Sequence, residues 1–503
     1  MIRDARERFD ALDNHARGVE DLRACGAILL WDQQLQMPRA GSSGRPRHLE
    51  AIRKARHERI TDPVLGALLD DPTPLENEFA EGSDEAALVR VVRRQYERLT
   101  NIPMDFIARY SENASASAQA YRQALEEDDF SIVSPYLERT LENSREFASY
   151  FEGVEHVADP LIAEIDPGVT VGSLRPLFSE LRARLVPLAS AIREQTADAP
   201  ALPWHENGDA DAEAGLVREA AGHFGFDFER GRVDLSDSPF TIRFAADDVR
   251  FGCMFKAGDP GMALLSGMHE SGHALYEQGV DKAYDGTLLG QGASDGIHES
   301  QARLWENIIG RGKPFWRFFY PRLQQTRPEL AGMNVNEFVR AMNRVSASTI
   351  RTRADEVTYP LHIALRFELE VQLLEGKLAV DDLPEAWNTR MSEDLGIIPV
   401  SNGEGVLQDP HWYAFGFVGG SFQQYAIGSV LCAQFYDAAL RAHPRIPAEI
   451  EAGEFSTLLG WLTENVYRPG AKFTADELVQ RATGSEMSVD SLVEYLQQKY
   501  SAL

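Results

Sequence analysis

The sequence contains few lysines, few cysteines and no long apolar run. Only seven of its 50 basic residues are lysines, and acidic residues outnumber basic ones with 78 against 50. The net charge of −28 would repel nucleic acid and anionic membranes, so we exclude both as partners. No stretch approaches the ~20 uncharged apolar residues of a membrane-spanning helix. With 44% hydrophobic residues, the composition is that of an ordinary globular protein.

The three cysteines, Cys25, Cys253 and Cys432, are an odd number without the spacing of a metal site. Such cysteines are typical of reduced packing residues. The N-terminal residues Met-Ile-Arg-Asp-Ala-Arg-Glu-Arg lack the apolar segment of a secretory signal. We therefore expect a cytoplasmic protein.

Helical periodicity dominates the chain. Apolar residues recur at spacings of three and four over residues 1–60, 82–155, 173–196, 422–442 and 475–498, which predicts helices there. No internal repeat or low-complexity linker divides these stretches. A chain of 503 residues could hold two or three ordinary domains, or one large helical body around a cleft.

One region alternates instead between apolar and polar residues. The apolar positions are Phe240, Ile242 and Phe244, and then Val249, Phe251 and Cys253. This alternation predicts two short strands joined by residues 245–248. A small sheet could bind an extended peptide along its edge. It could equally be a hairpin that only packs the core.

The strongest chemical signal is the segment His269-Glu270-Ser271-Gly272-His273. Histidines four residues apart project from one face of a helix and can bind the same metal ion, and Glu270 lies beside them to take a proton from water. Pro260 suits the first position of this helix and Gly279 its end. The alternative is a pair of core histidines satisfied by hydrogen bonds, but the pattern is uncommon by chance in a chain with 12 histidines.

A catalytic zinc ion takes three protein ligands and keeps one position open, so a third ligand is required. We predict Glu299, on a second helix that begins near Asp295 and ends before Gly310. His298 is the alternative ligand. Neighbouring residues on a helix point in different directions, so we expect His298 to point elsewhere and favour Glu299.

Several further segments resemble the carboxypeptidase Taq family of metallopeptidases, in the same order and nearly from end to end. Besides the metal motif they are His298-Glu299-Ser300-Gln301, Ile350-Arg351-Thr352-Arg353-Ala354-Asp355, Gly405-Val406-Leu407-Gln408-Asp409-Pro410-His411-Trp412, Trp31-Asp32, Met37-Pro38 and Tyr495-Leu496-Gln497-Gln498-Lys499-Tyr500. The resemblance implies an almost wholly α-helical protein with a deep cleft. It also implies a homodimer that removes single residues from peptide C-termini with broad specificity, using zinc or cobalt.

Carried over residue by residue, the resemblance assigns Arg351 to the terminal carboxylate of the substrate and places Arg250 at the same end of the cleft. It assigns His411 to the oxyanion of the tetrahedral intermediate. Arginine suits the first role because it binds a carboxylate through two parallel, charge-assisted hydrogen bonds. The residues alone leave open that Arg351 forms an ordinary ion pair with Asp355, and that His411 is a packed loop histidine.

We therefore predict a mainly α peptidase that forms a single body over residues 1–503, with a deep central cleft and a small β-sheet beside the active site. Its N-terminal helical part covers about 1–235 and its catalytic part about 236–503. The predicted function is that of a zinc-dependent metallocarboxypeptidase acting on peptides as a homodimer. The alternatives are an endopeptidase or dipeptidase with the same metal site, or a metal- and peptide-binding homodimer with impaired catalysis. Departures from the family pattern lie at Ser238, Gly252 and 415–424, in segments that would face the substrate.

Overall fold

The computed structural model describes residues 4–203, 209–254 and 260–503. The helices before the sheet are α1 (Ala5–Leu35), α2 (Arg45–Ile60), α3 (Pro63–Asp70), α4 (Asp84–Asn101), α5 (Met104–Glu127), α6 (Ser134–Ser149), α7 (Asp159–Ile162), α8 (Val171–Gln195) and α9 (Ala210–Phe224). The strands are β1 (Gly231–Ser236), β2 (Phe240–Ala245) and β3 (Asp248–Met254). The helices after the sheet are α10 (Pro260–Gly279), α11 (Asp295–Arg303), α12 (Lys313–Thr326), α13 (Val335–Met342), α14 (Tyr359–Leu374), α15 (Leu383–Leu395), α16 (Gln423–Ala442), α17 (Ile446–Glu451), α18 (Ser456–Leu462), α19 (Ala475–Thr483) and α20 (Asp490–Ser501). None of these helices is long and apolar enough to cross a membrane.

The predicted mainly α fold is confirmed, and helices occupy all five stretches with helical periodicity. The stretch 1–60 divides into α1 and α2. Helix α1 begins after Asp4, whose carboxylate accepts the backbone N–H of Glu7, and it ends just before Met37-Pro38. Proline disfavours a helical conformation at the preceding residue, which explains the break.

The sheet contains the predicted hairpin and one strand more. Strands β2 and β3 pair antiparallel, and β1 pairs parallel with the other side of β3, so the order is β1-β3-β2. Our prediction missed β1, although Val233 and Leu235 alternate there with Arg232 and Asp234. In the described part of the chain, β2 is therefore an edge strand.

One large hydrophobic core extends from α5 to α20 and includes residues on both sides of position 235. A smaller core lies under α1, α3 and α4 and also takes in Leu288 and Leu289. The single body over residues 1–503 and the division of the chain near residue 235 stay predictions.

Three helices of the large hydrophobic core, α10, α11 and α16, surround the predicted metal motif. Helix α11 packs against α10 on one side and against α16 on the other. Directly after α11 the chain continues into a π-helical turn, Leu304–Ile309, and a second π-helical turn covers His411–Phe415. Turns of this kind are rare and are found frequently at functional sites.

Candidate metal centre

The three predicted ligands lie together between α10 and α11. Nε2 of His269 is 3.6 Å and Nε2 of His273 is 3.7 Å from Oε2 of Glu299, and the three ligand atoms lie within 4.8 Å of one another. Ligand atoms about 2.1 Å from a tetrahedral ion are about 3.4 Å apart. Two imidazoles and one carboxylate at this spacing therefore fit a divalent metal ion.

Two glycines allow the helices to approach closely enough to form this set. A Cβ at Gly272 would lie 2.5 Å from the carbonyl oxygen of Gln301, and a Cβ at Gly428 on α16 would lie 2.4 Å from Cγ of Glu299. Any side chain at these two positions would push α11 away from its neighbours. The glycine between the two histidines of the motif thus has a packing role.

His269 and Glu299 are oriented by a pair of charged residues on the π-helical turn and the end of α11. Nδ1 of His269 is 2.9 Å from Oε2 of Glu306. Arg303 donates to Oε1 of Glu299 at 2.7 Å and to Oε2 of Glu306 at 3.1 Å. Burial alone would raise the pKa of Glu306, but the charge of Arg303 and the contact with His269 lower it to about 2. A carboxylate behind a ligand imidazole fixes the ring and its tautomer.

His273 is oriented by a second chain of contacts, through His298. Nδ1 of His273 is 2.6 Å from Nδ1 of His298, and Nε2 of His298 is 2.9 Å from Oε1 of Glu277. A metal ion on Nε2 of His273 requires the ring proton on Nδ1, which then donates to His298, and His298 donates in turn to Glu277. His298 lies outside the cluster of His269, His273 and Glu299, and it is directly behind one of these predicted ligands.

Glu270 lies beside the ligands with its carboxylate in a defined position. Its Oε2 accepts a hydrogen bond of 2.6 Å from the hydroxyl of Thr241, on the edge strand β2. Burial raises the pKa of Glu270, although His269 and the Thr241 hydroxyl oppose the shift. A carboxylate with a raised pKa is a stronger proton acceptor, which is the property required of a general base.

Arg351 and His411 are brought together by Asp409. Nε and Nη2 of Arg351 donate to Oδ2 of Asp409 at 2.9 and 2.7 Å, and the His411 ring donates from Nδ1 to Oδ1 of the same carboxylate. The alternative partner Asp355 instead accepts the backbone N–H groups of Ser346, Val357 and Thr358. An ordinary Arg351–Asp355 ion pair was therefore the wrong alternative.

Among the described residues, the Arg351 guanidinium leaves two N–H groups without a hydrogen-bond partner. It has five, of which two donate to Asp409 and one, on Nη1, donates to the hydroxyl of Tyr359 at 2.9 Å. One N–H remains on each terminal nitrogen, and this is the geometry that binds a carboxylate in two parallel hydrogen bonds. The guanidinium also lies 5.1 Å from the ring centre of Tyr425.

A cavity of about 380 Å³ joins these parts. Its walls include the ligands, Glu270 and Thr241 on one side, and Gln424 and Tyr425 on the other. Arg351 and His411 do not line it but lie against Tyr425, 5.1 and 6.3 Å from the ring centre. The cavity therefore extends from the metal motif toward the arginine.

Arg250 lies apart from this group. It donates twice to Asp248, at 2.7 Å each, and lies over the ring of Phe244. Its neighbour Phe251 pairs with Thr241, which faces Glu270, so Arg250 points to the opposite face of the sheet. Its assignment to the substrate stays a prediction.

One departure from the family pattern has a local reason. A Cβ at Gly252 would lie 2.8 Å from the ring of Phe240, and Phe240 lines the metal cavity. A side chain at position 252 would therefore displace the Phe240 ring.

Our reading of the sequence missed the residues that orient the site, namely Thr241, Arg303, Glu306, Tyr359, Asp409 and Tyr425. Two of them left a usable signal. Glu306 lies two helical turns beyond Glu299 on the same predicted helix, and Asp409 precedes His411 by two residues. Arg303 also lies on α11, one turn beyond Glu299, whereas Thr241, Tyr359 and Tyr425 come from distant elements.

Comparisons with known proteins extend along nearly the whole chain. The sequence profile of the family described as Carboxypeptidase Taq (M32) metallopeptidase matches residues 11–500. Carboxypeptidase 1 of Bacillus subtilis is 34% identical over 99% of this chain and 98% of its own length. Thermostable carboxypeptidase 1 of Thermus thermophilus is 34% identical over 96% of this chain and 96% of its own length. The crystal structure of an M32 carboxypeptidase from Deinococcus radiodurans R1 covers 99% of both chains with a TM-score of 0.93 and 41% identity.

Proposed function

Since this chain belongs to the carboxypeptidase Taq (M32) family of metallopeptidases, we propose that it removes single residues from peptide C-termini with a zinc ion held by His269, His273 and Glu299. The observation that carries this proposal is the cluster of three ligand side chains beside Glu270, with Arg351 beyond the far wall of the same cavity. A metal motif alone indicates hydrolysis, whereas an arginine with two remaining N–H groups indicates recognition of a chain end.

The donor set favours zinc, because two imidazoles and one carboxylate are a usual set of ligands for catalytic zinc. Cobalt accepts the same ligands and geometry. A bound ion supplies Lewis acidity and lowers the pKa of water at the site. The remaining chemistry belongs to side chains of this protein.

Glu270 acts as the general base. Its carboxylate takes a proton from the attacking water and delivers it to the nitrogen of the departing amino acid. Thr241 holds one carboxylate oxygen, which fixes the direction of the other. Proton transfer of this kind contributes about 10²- to 10⁴-fold to the rate.

Arg351 and His411 act on the substrate from beside Tyr425, at the far side of the cavity. The two remaining N–H groups of Arg351 bind the terminal carboxylate, which places the last peptide bond near Glu270. His411, held by Asp409 through Nδ1, stabilises the developing oxyanion. A donor in this role is worth about 3 kcal/mol of transition-state stabilisation.

A peptide with a free C-terminus and the same peptide with an amidated C-terminus test this function. We expect sequential loss of single C-terminal residues from the free peptide, seen by mass spectrometry, and cleavage at least about 10²-fold slower for the amide, since one charged partner of Arg351 is lost. Release of internal fragments from both peptides would instead support the endopeptidase alternative, and release of dipeptides would support the dipeptidase alternative.

We also propose that the protein works in the cytoplasm as a homodimer. All three cysteines are free, and two are buried, which agrees with a reducing compartment. The homodimer rests on the family resemblance. Light scattering would test it, since a dimer has twice the 56.1 kDa mass of the chain.

A further inference from the structure

A second cavity, of about 510 Å³, continues from the metal cavity between α1, α2 and the edge strand β2. The two cavities share Thr241, Glu277, Asp295 and His298 in their walls. Cavities of about 300 to 1,000 Å³ are the usual size for sites that enclose a small ligand. The second cavity is therefore large enough to receive part of a peptide.

The two ends of the combined space have different neighbours. Tyr425, which Arg351 contacts, lines the metal cavity alone, whereas Thr241 of β2 lines both cavities. If the terminal carboxylate binds Arg351 and the last peptide bond lies at the metal motif, the preceding residues continue along β2. They then enter the second cavity, whose wall includes Thr241, Ile242 and Arg243 of that strand.

Three of the four arginines in this wall already have acidic partners. Arg23 donates to Glu20 at 2.8 Å, and Arg243 donates to Asp285 at 2.9 Å. Arg53 is paired with Glu50, one turn before it on α2. Their charges are therefore neutralised locally and add little attraction for a ligand.

Arg56, on α2, is the exception. Within the described residues it has no hydrogen-bond or ion-pair partner, and its Nε is buried. The nearby carboxylate of Glu20 is occupied, since Arg23 donates to one of its oxygens and Gln291 to the other. Burial lowers the pKa of Arg56, and so do the charges of Arg23 and Arg98, against the attraction of Glu20. An unpaired cation in a partly buried wall is costly unless a ligand brings the missing anion.

We propose that the second cavity binds the part of the peptide before the scissile bond, and that Arg56 selects an acidic side chain there. This inference rests on the proposed function, because it takes the direction of the peptide from the assignment of Arg351. The ligand group is a carboxylate of aspartate or glutamate within the substrate. A partly exposed arginine–carboxylate pair supports about a three- to tenfold preference over the uncharged amide.

Acetylated pentapeptides with a common C-terminal dipeptide test this preference. Each carries one glutamate, or one glutamine, at the third, fourth or fifth position from the C-terminus. For the zinc-loaded full-length protein we expect kcat/KM to favour glutamate by about three- to tenfold at one of these positions, mainly through KM. In Arg56→Gln the ratio should fall to about one, and in Arg56→Glu it should fall below one.

Arg47→Gln is the matched control, because Arg47 is an exposed arginine on the same helix and does not line the cavity. It should keep the preference for glutamate. Zinc content and melting temperature of each variant identify loss of folding. If wild type cleaves glutamate and glutamine peptides equally at every position, or if Arg56→Gln keeps the preference, the inference is wrong and the proposed function stands. If wild type cleaves none of the peptides, the proposed function fails and this inference fails with it.

Discussion

Asp409 is the residue on which two of the proposed functional side chains depend. Its carboxylate accepts hydrogen bonds from Arg351 and His411 and lies 3.5 Å from Nη1 of the fully buried Arg366. Burial would raise the pKa of Asp409, but Arg366, His411 and Arg351 together lower it strongly. The residue therefore stays ionised and holds the arginine and the histidine at a fixed separation.

Substitution Asp409→Asn should damage catalysis without removing the metal. The amide keeps the shape of the carboxylate but loses its charge, so Arg351 and His411 lose their common anchor. We expect kcat/KM to fall about 10²- to 10³-fold, with a higher KM from Arg351 and a lower kcat from His411. Steady-state kinetics on a free-C-terminus peptide measure both parameters.

Zinc content is the control for this substitution, because Asp409 contacts none of the ligands. It should equal that of wild type. Normal kcat and KM in the variant would show that Asp409 does not position Arg351 and His411 for catalysis. Loss of zinc from the variant would show that the role of Asp409 is structural.

At the scale of residues, the predictable part of the site is the part that lies close together in sequence. His269, Glu270 and His273 occupy consecutive turns of one helix, and the pattern alone predicts their shared face. Thr241 reaches Glu270 from another element and carries no signal of its own, since a threonine in a strand is ordinary. Residues that orient ligands depend on tertiary packing, and so they became visible only in the structure.

At the scale of elements, α11 is the helix whose position decides whether Glu299 is a ligand. Its start is held by Asp166, which accepts the backbone N–H of Gly296 at 2.7 Å and a side-chain hydrogen bond from Gln423 at 3.1 Å. Burial raises the pKa of Asp166 to about 6, against the hydrogen bonds it accepts. The anchor of this helix is thus a carboxylate that is costly to ionise.

The raised pKa of Asp166 predicts how stability changes with pH. Between about pH 4 and 6 the folded protein binds more protons at this position than the unfolded chain, so the contribution of Asp166 to stability decreases as pH rises through this window. Relative to Asp166→Asn, which does not titrate, wild type should lose about 3 kcal/mol of stability by neutral pH. Asparagine can accept the Gly296 N–H and donate to Oε1 of Gln423, which lacks a partner.

The measurement is the difference in melting temperature between Asp166→Asn and wild type, taken at several pH values with the same zinc concentration. The difference should become more favourable to the variant from pH 5 to pH 8. Both proteins share every histidine and the metal ligands, so those titrations cancel. A difference that is constant with pH would contradict the raised pKa.

The element predictions succeeded where periodicity is strong and local. Helix α10 and the β2–β3 hairpin follow directly from their patterns. Strand β1 is as long as β2, but it was missed because it pairs in parallel with a strand that comes later in the chain. The π-helical turns carrying Glu306 and His411 have no sequence pattern of their own, since they depend on how the chain packs.

At the scale of the whole molecule, the proposed metal site lies between two helices of the large hydrophobic core. Helices α10 and α11 belong to the large hydrophobic core, and a shared ion would connect them. Because the ligands are brought together only by folding, the ion binds the folded protein and stabilises it. The sequence predicted the mainly α fold and the family, whereas an oligomeric state requires a surface that one sequence does not reveal.

Removal of the metal should therefore lower the thermal stability of the entire molecule. Zinc at about 1,000 times its dissociation constant contributes about 4 kcal/mol to the stability of the folded state. We expect the melting temperature to fall by several degrees after chelation and to recover when zinc is added. The variant Glu299→Gln should show a much smaller shift, and an equal shift in that variant would place the ion elsewhere.

We infer that Glu270 performs the proton transfer beside the metal ion that His269, His273 and Glu299 would hold. The most direct test of this role is zinc content and peptide cleavage, measured together, for Glu270→Gln and wild type. We expect equal zinc in both proteins and a rate about 10²- to 10⁴-fold lower in the variant. Cleavage at the wild-type rate by a Glu270→Gln protein that retains its zinc would contradict this role of Glu270.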